Sequence, residues 1–292
     1  MATQASEQVS AILLISCPDQ KGLVHTVTQF IYTNGGNVID IEQHVDRREG
    51  RFFMRVEWDL ADFVIPRESL AGAFEKALAT PLQMDWQLFY SDIKPRMAIF
   101  VSKHDHCLFD LLARYQSHEW DAEIPLVISN HPDLERSATN LGIKFVHIPV
   151  TKDNKAEAEL QQRELLKQYN IDFIVLARYM QILSDDFIRS YPNQIINIHH
   201  SFLPAFPGAR PYHSAYERGV KIIGATSHYV TAELDAGPII EQDVEHVRHT
   251  DDVDDLVRKG RDVEKVVLSR AIWRHLNRQV LVYNNRTVVF GN

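Results

Sequence analysis

Three residue types in this chain suit attack on an acyl carbon: Asn197, His199 and Asp235. Asn197 and His199 stand two residues apart, so an extended backbone places both on one face. An amide N–H and an imidazole can stabilise negative charge developing on an oxygen, and a carboxylate can handle protons. Asp235 lies far along the chain beside Gly237-Pro238, and it joins the pair only if the intervening elements return to the same sheet edge. Each residue also has a plain structural use, because Asn197 could bond loop backbone and Asp235-Ala236-Gly237 is an ordinary turn sequence. Adjacent His199 and His200 face opposite sides if the strand continues through both. Ser201 lacks the flanking glycines of a nucleophile elbow.

The elements around these residues read as an α/β protein. Gln194, Ile195 and Ile196 form the apolar end of a buried strand that turns polar at Asn197 and breaks at Pro204, Pro207 and Gly208. At the carboxyl end of a parallel strand, such residues sit where open α/β sheets hold ligands. From residue 96, strands and helices alternate: strands at 96–102, 124–129, 145–148, 172–177, 194–198, 222–230 and 239–247, and helices at 108–116, 134–141, 155–168, 185–189, 214–218 and 251–276. This alternation predicts a doubly wound, mostly parallel sheet. A final hairpin is expected at 280–290 around Asn284-Asn285.

The first 90 residues differ. Strands at 11–16, 38–46, 52–60 and 84–90 and helices at 23–33 and 66–79 give the order β-α-β-β-α-β, a ferredoxin-like sandwich. Residues 91–95, polar and closed by Pro95, read as a linker. The expected domains are therefore 8–90 and 96–292.

Composition bounds the rest. In 292 residues, 45% hydrophobic and 24% charged content describes a globular chain, and a net charge of −8 argues against a nucleic-acid partner. Two cysteines cannot build a disulfide framework and lack zinc spacing, which fits a reduced compartment. No apolar run nears the roughly 18 residues of a membrane span, and the N-terminus has no apolar signal core, so no membrane association and a cytoplasmic location are expected.

Two resemblances add to this reading. Residues 17–24 (Cys-Pro-Asp-Gln-Lys-Gly-Leu-Val) and 34–38 (Asn-Gly-Gly-Asn-Val) resemble an ACT domain. That implies an amino-acid effector near Asp19, Gly22, Asn34, Gly35 and Asn37, and a homo-oligomer. A helix start and a helix stop would account for the same residue types. Asn197-Ile198-His199 with residues 201–206, then 224–230, then 234–240 in that order resemble the folate-dependent formyltransferase family over residues 96–292.

The resemblance implies that Asn197, His199 and Asp235 are catalytic and that His228 lies close by. It further implies a pterin held by the backbone of residues 177–183, with Arg178, Tyr179, Met180, Gln181 and Leu183 as contacts, under a loop of residues 232–235 with Ala232 and Glu233. It implies no cofactor and no metal, the folate being the substrate. Core packing would equally explain Met180 and Leu183.

One departure bears on the acceptor. Ribonucleotide transferases of this family hold a phosphate on a glycine-rich loop after the first strand. Residues 101–109 here contain no glycine, and they carry Asp105 among Lys103, His104 and His106. With water as acceptor, the activity expected is hydrolysis of 10-formyltetrahydrofolate to tetrahydrofolate and formate. An ACT-like segment joined to such a catalytic segment resembles the deformylase branch, which implies a supply of formate for purine synthesis and balance of the one-carbon folate pools. Formyl transfer to an unidentified amine is the alternative. A metal-dependent hydrolase using the histidines at 104, 106, 199, 200, 213 and 228 is a third reading, without the helical spacing of a metal motif.

Overall fold

The computed structural model describes residues 9–204 and 211–291. The expected breaks at Pro207 and Gly208, and the outermost residues of both expected domains, lie outside the described residues. Two compact units emerge: one holds the chain up to Lys94 together with the tail from Val288, the other spans Pro95–Thr287.

In the first unit the order is β1 (Ser10–Pro18), α1 (Leu23–Thr33), β2 (Asn37–Asp46), β3 (Arg51–Asp59), α2 (Arg67–Phe74), a π-helical turn (Glu75–Ala79), α3 (Thr80–Leu82) and β4 (Asp85–Tyr90). The four strands form an antiparallel sheet in the order β2-β3-β1-β4. Alternate residues Phe52, Met54, Val56 and Trp58 of β3 turn to a core that Val27 and Ile31 of α1 and Leu70 and Phe74 of α2 complete. The single helix expected at 66–79 is interrupted. Pro81 has no N–H to continue the ladder, and Thr80 N–H bonds back to Glu75 O, which widens the preceding turn.

The second unit runs β5 (Arg96–Val101), α4 (His106–Gln116), β6 (Glu123–Ser129), α5 (Glu135–Thr139), β7 (Lys144–His147), α6 (Lys155–Gln168), β8 (Phe173–Ala177), α7 (Asp185–Arg189), β9 (Ile195–His199), α8 (Pro211–Arg218), β10 (Ile222–Tyr229), β11 (Ile239–His246) and α9 (Val253–Leu276). A closing hairpin pairs β12 (Val280–Tyr283) with β13 (Arg286–Val289). The main sheet is ordered β11-β10-β9-β8-β5-β6-β7. The pairs from β9 through β8, β5 and β6 to β7 are parallel, while β10 and β11 add antiparallel strands at one edge. Both faces are covered. Met97, Ile99 and Val101 pack with Leu268 and Ile272 of α9, whereas Ala98 and Phe100 face Leu166 of α6 and Phe187 of α7.

Two helix starts differ from expectation for a physical reason. Helix α8 begins three residues early, at Pro211, because proline at the first helical position loses no bond it would have made. Helix α9 starts after Asp252, whose carboxylate accepts Asp255 N–H at 2.9 Å while the Asp255 carboxylate receives Asp252 N–H, a capping box. Among the described residues no helix is long and apolar enough to cross a membrane.

Candidate active site

Strand register solves the problem the sequence leaves open. Strand β9 pairs with β10 so that His228 stands opposite Asn197 and Thr226 opposite His199. Asn197, His199 and His228 therefore share one face of the sheet. The chain then turns back through residues 231–238. Asp235 adopts φ 54° there, a left-handed conformation that aspartate tolerates better than most residues. Gly237 is required, because a Cβ at that position would fall 1.8 Å from Tyr229 O. This close approach lets Pro238 O accept Tyr229 N–H at 2.9 Å, which ties the turn to the end of β10.

The result is a compact polar cluster. The Asp235 Oδ2 atom lies 3.2 Å from His199 Nδ1, and Oδ1 lies 3.6 Å from His228 Nε2. Asn197 Nδ2 is 3.2 Å from His228 Nε2, and His228 Nδ1 is 3.0 Å from Tyr229 O. A carbonyl only accepts, so His228 Nδ1 carries the proton, and in the neutral ring Nε2 accepts from Asn197. One Asn197 N–H is thus spent on orientation and the other remains. The hydrogen bond from His199, and after it the nearby His228 ring, hold the Asp235 carboxyl far below the usual carboxylate range, against the opposing effect of burial. So tightly ionised a carboxylate accepts protons poorly. It is better suited to orient His199 and stabilise positive charge there. With the Nδ1 proton directed at Asp235, His199 Nε2 carries the free lone pair, and that buried atom has no partner among the described residues.

The cluster lines a cavity of about 380 Å³. One wall is the segment after β8: Arg178, Tyr179, Met180, Gln181, Ile182 and Leu183. Arg178 turns the chain with φ 61°. Tyr179 OH accepts Gln162 Nε2–H at 3.0 Å, and its ring meets Phe100 edge-on, so burial pushes its hydroxyl up to about 12. Leu183 is buried in the same core, whereas Met180 is exposed. Met180 N–H is already spent on Ser102 Oγ at 2.9 Å. The opposite wall comprises Val230, Thr231, Ala232, Leu234 and Asp235. Glu233 does not line the cavity. Leu234, Ile182 and Thr231 do, and of these Thr231 lies outside the expected segments. Ile182 and Leu234 are each 63% exposed.

His200 also departs from expectation. The strand ends at His199, so the alternation stops, and the His200 ring stacks on His199 with centroids 5.0 Å apart. Burial first and the Arg178 charge second push it down to about 4. Beyond it, Thr226 Oγ1 accepts Leu203 N–H and donates to Ser201 O, pinning the following loop to β10.

After β5, Ser102 donates to Asn130 Oδ1 at 2.6 Å, and His106 Nε2 lies 2.8 Å from Glu264 Oε2. His106, Cys107 and Glu264 bring potential metal-ligand atoms within 4.8 Å of one another. Burial raises the Cys107 thiol well above its ordinary range.

In the first unit the expected effector residues occupy two turns. Gly22 starts α1 at φ 89°, and Asp19 N–H bonds Gly50 O. Asn34 Nδ2 donates to Phe30 O at 2.7 Å, capping α1. Gly35 has φ 81°, and a Cβ there would lie 2.4 Å from Asp62 O. Asn37 opens β2 opposite Asp59.

Comparison with known proteins agrees with this architecture. Residues 95–272 match the family model described as formyl transferase, and residues 11–77 match the ACT domain. A formyltetrahydrofolate deformylase from Synechocystis sp. is 58% identical, across 98% of this chain and 100% of the relative; one from Bacillus subtilis is 51% identical across 96% and 93%. The crystal structure of a formyltetrahydrofolate deformylase from Pseudomonas syringae superposes with a TM-score of 0.95 at 45% identity, covering 99% of this chain and 96% of that one. A glycinamide ribonucleotide transformylase from Symbiobacterium toebii matches with a TM-score of 0.64 at 30% identity, covering 70% of this chain and 98% of its own. By sequence along nearly its whole length and by fold, the chain belongs to the formyltetrahydrofolate deformylase family.

Proposed function

We propose that this chain hydrolyses 10-formyltetrahydrofolate to tetrahydrofolate and formate, with water as the formyl acceptor. The observation that carries the reading is the convergence of Asn197, His199 and Asp235 on one cavity, with His199 Nδ1 held 3.2 Å from Asp235 and its Nε2 left to the reaction. The pterin occupies the cavity between the 178–183 wall and the 231–235 turn, where backbone groups meet its ring edges.

Water approaches the formyl carbon beside His199. As the oxygen–carbon bond forms, His199 Nε2 takes one water proton, and Asp235 stabilises the imidazolium. The free Asn197 N–H donates to the oxyanion. The tetrahedral intermediate then breaks its bond to N10, which takes the proton from His199. Tetrahydrofolate leaves with its N10–H restored, and the formic acid formed loses its remaining proton to solvent as formate.

Acceptor dependence tests the reaction type. Formate release that is rapid in amine-free buffer, and unchanged when amines are added, supports hydrolysis. Release only with an added amine makes the chain a transferase. The ACT-like unit supplies a place for an amino-acid effector at the turn of Asp19 and Gly22 and the loop of Asn34, Gly35 and Asn37. Turnover measured against each amino acid tests that placement. Both cysteines are free and buried, in keeping with a reduced cytoplasmic setting. Assembly as a homo-oligomer is read out by sedimentation.

A further inference from the structure

Next to the stacked His199 and His200 lies a second group of ionisable side chains that the proposed mechanism leaves unused. Glu264 of α9 is only 1% exposed. Its Oε1 accepts Tyr212 O–H at 2.6 Å, and its Oε2 lies 2.8 Å from His106 Nε2 and 3.4 Å from Arg178 Nε. Burial raises the Glu264 carboxyl, but the His106 bond and the Arg178 charge outweigh it and hold the group at about 2. Glu264 is therefore an anion that balances the Arg178 cation.

The two groups are not fully matched. Arg178 Nε and His106 Nδ1 are buried and make no directed hydrogen bond among the described residues, as is true of His199 Nε2. Arg178 is 9% exposed and lines the cavity, as do His199 and His200. The His200 ring connects the two clusters: it stacks on His199, stands 6.2 Å from the Tyr212 ring, and feels the charges of both Arg178 and Asp235.

This arrangement bears on the fate of the second product, and so rests on the hydrolytic reading above. Hydrolysis creates a small anion beside ionised Asp235. Like charge repels it from that side, and the Arg178 cation attracts it across the histidine pair. We propose that Arg178 and His200 form a subsite for a small monocarboxylate, the formate product, and that Glu264 tunes its strength by offsetting the Arg178 charge.

Binding of [13C]formate to the full-length protein, followed by line broadening, tests this without turnover. Formate inhibition of folate hydrolysis provides a second readout. Glu264→Gln removes the opposing anion and is expected to tighten formate roughly threefold, whereas Arg178→Gln is expected to weaken it about tenfold. Opposite directions are the signature, because a merely structural cluster would move both variants the same way.

Arg178→Gln takes the cation away from a buried carboxylate and can compromise folding. The charge-neutral double variant Arg178→Gln/Glu264→Gln keeps the test open and is expected to bind formate about threefold more weakly than wild type, between the two single variants. Unchanged formate binding in a folded variant lacking Arg178, or tightening absent in Glu264→Gln, overturns the subsite. Formate binding that follows the charges in a protein that releases no formate from 10-formyltetrahydrofolate would overturn the hydrolytic reading instead.

Discussion

Asn34 in the ACT-like unit and Asn197 in the catalytic unit look alike in sequence, since each ends an apolar segment and opens a polar loop. Their surroundings separate them. The Asn34 amide is consumed by its own helix, through Nδ2 to Phe30 O at 2.7 Å. The Asn197 amide meets a histidine from the neighbouring strand, and that histidine approaches Asp235 from a third segment. A polar side chain satisfied by backbone four residues away is a cap. One that meets a side chain from another strand beside a cavity is held by the tertiary fold and not by its own element. The difference is one of partners, not of residue type.

Substitutions can break this contrast, and the largest effect is expected at Asp235. Asp235→Asn removes the charge that holds His199, so formate release should fall below detection while the melting temperature stays near wild type. Near-normal release would remove Asp235 from the chemistry. Asn197→Ala deletes the proposed oxyanion donor, a group typically worth about 3–4 kcal/mol, so turnover should drop by roughly 100-fold or more. A loss confined to KM would instead make Asn197 a binding group.

Asn34→Ala should do the opposite. It forfeits a hydrogen bond of about 1 kcal/mol, which lowers the melting temperature by a few degrees, and formate release without effector should persist. A collapse of basal turnover with an unchanged melting temperature would erase the distinction between the two asparagines.

The smallest effect is a pH dependence. His275 is pushed down to about 3, mainly by burial, with its Nδ1 2.8 Å from the Tyr229 hydroxyl; His200 is pushed down to about 4. The unfolded chain binds protons at both below about 6.5, while the fold does not. Their contribution is complete above that value and declines as pH falls from about 6.5 toward 4. Asp235 works in a different window, because its depressed carboxyl adds stability above its unfolded value near 3.8, lost only below that. Thermal melting of the catalytic unit should therefore weaken between pH 6.5 and 4. A flat profile there would show that these histidines are not held neutral.

Much of this was readable before any coordinates. The Asn-x-His spacing fixes a shared strand face, and alternating strands and helices fix the doubly wound sheet, because both follow from backbone periodicity. Asp235 was legible as a residue but not as a neighbour, since its position depends on the β9–β10 register and on Gly237 passing the Tyr229 carbonyl. The Glu264 cluster was not legible. Its members come from α4, α8, α9 and the turn after β8, and no local pattern links them. His200 was misplaced because alternation holds only while a strand continues, and β9 ends one residue earlier.

The most direct test follows the water oxygen. 10-Formyltetrahydrofolate would be turned over in oxygen-18 water, without amine, by the wild-type protein and by Asp235→Asn. Formate carrying one labelled oxygen, produced by the wild type and absent from the variant, is the predicted result. Unlabelled formate from the wild type, or labelled formate released equally fast by Asp235→Asn, would contradict water attack at this site.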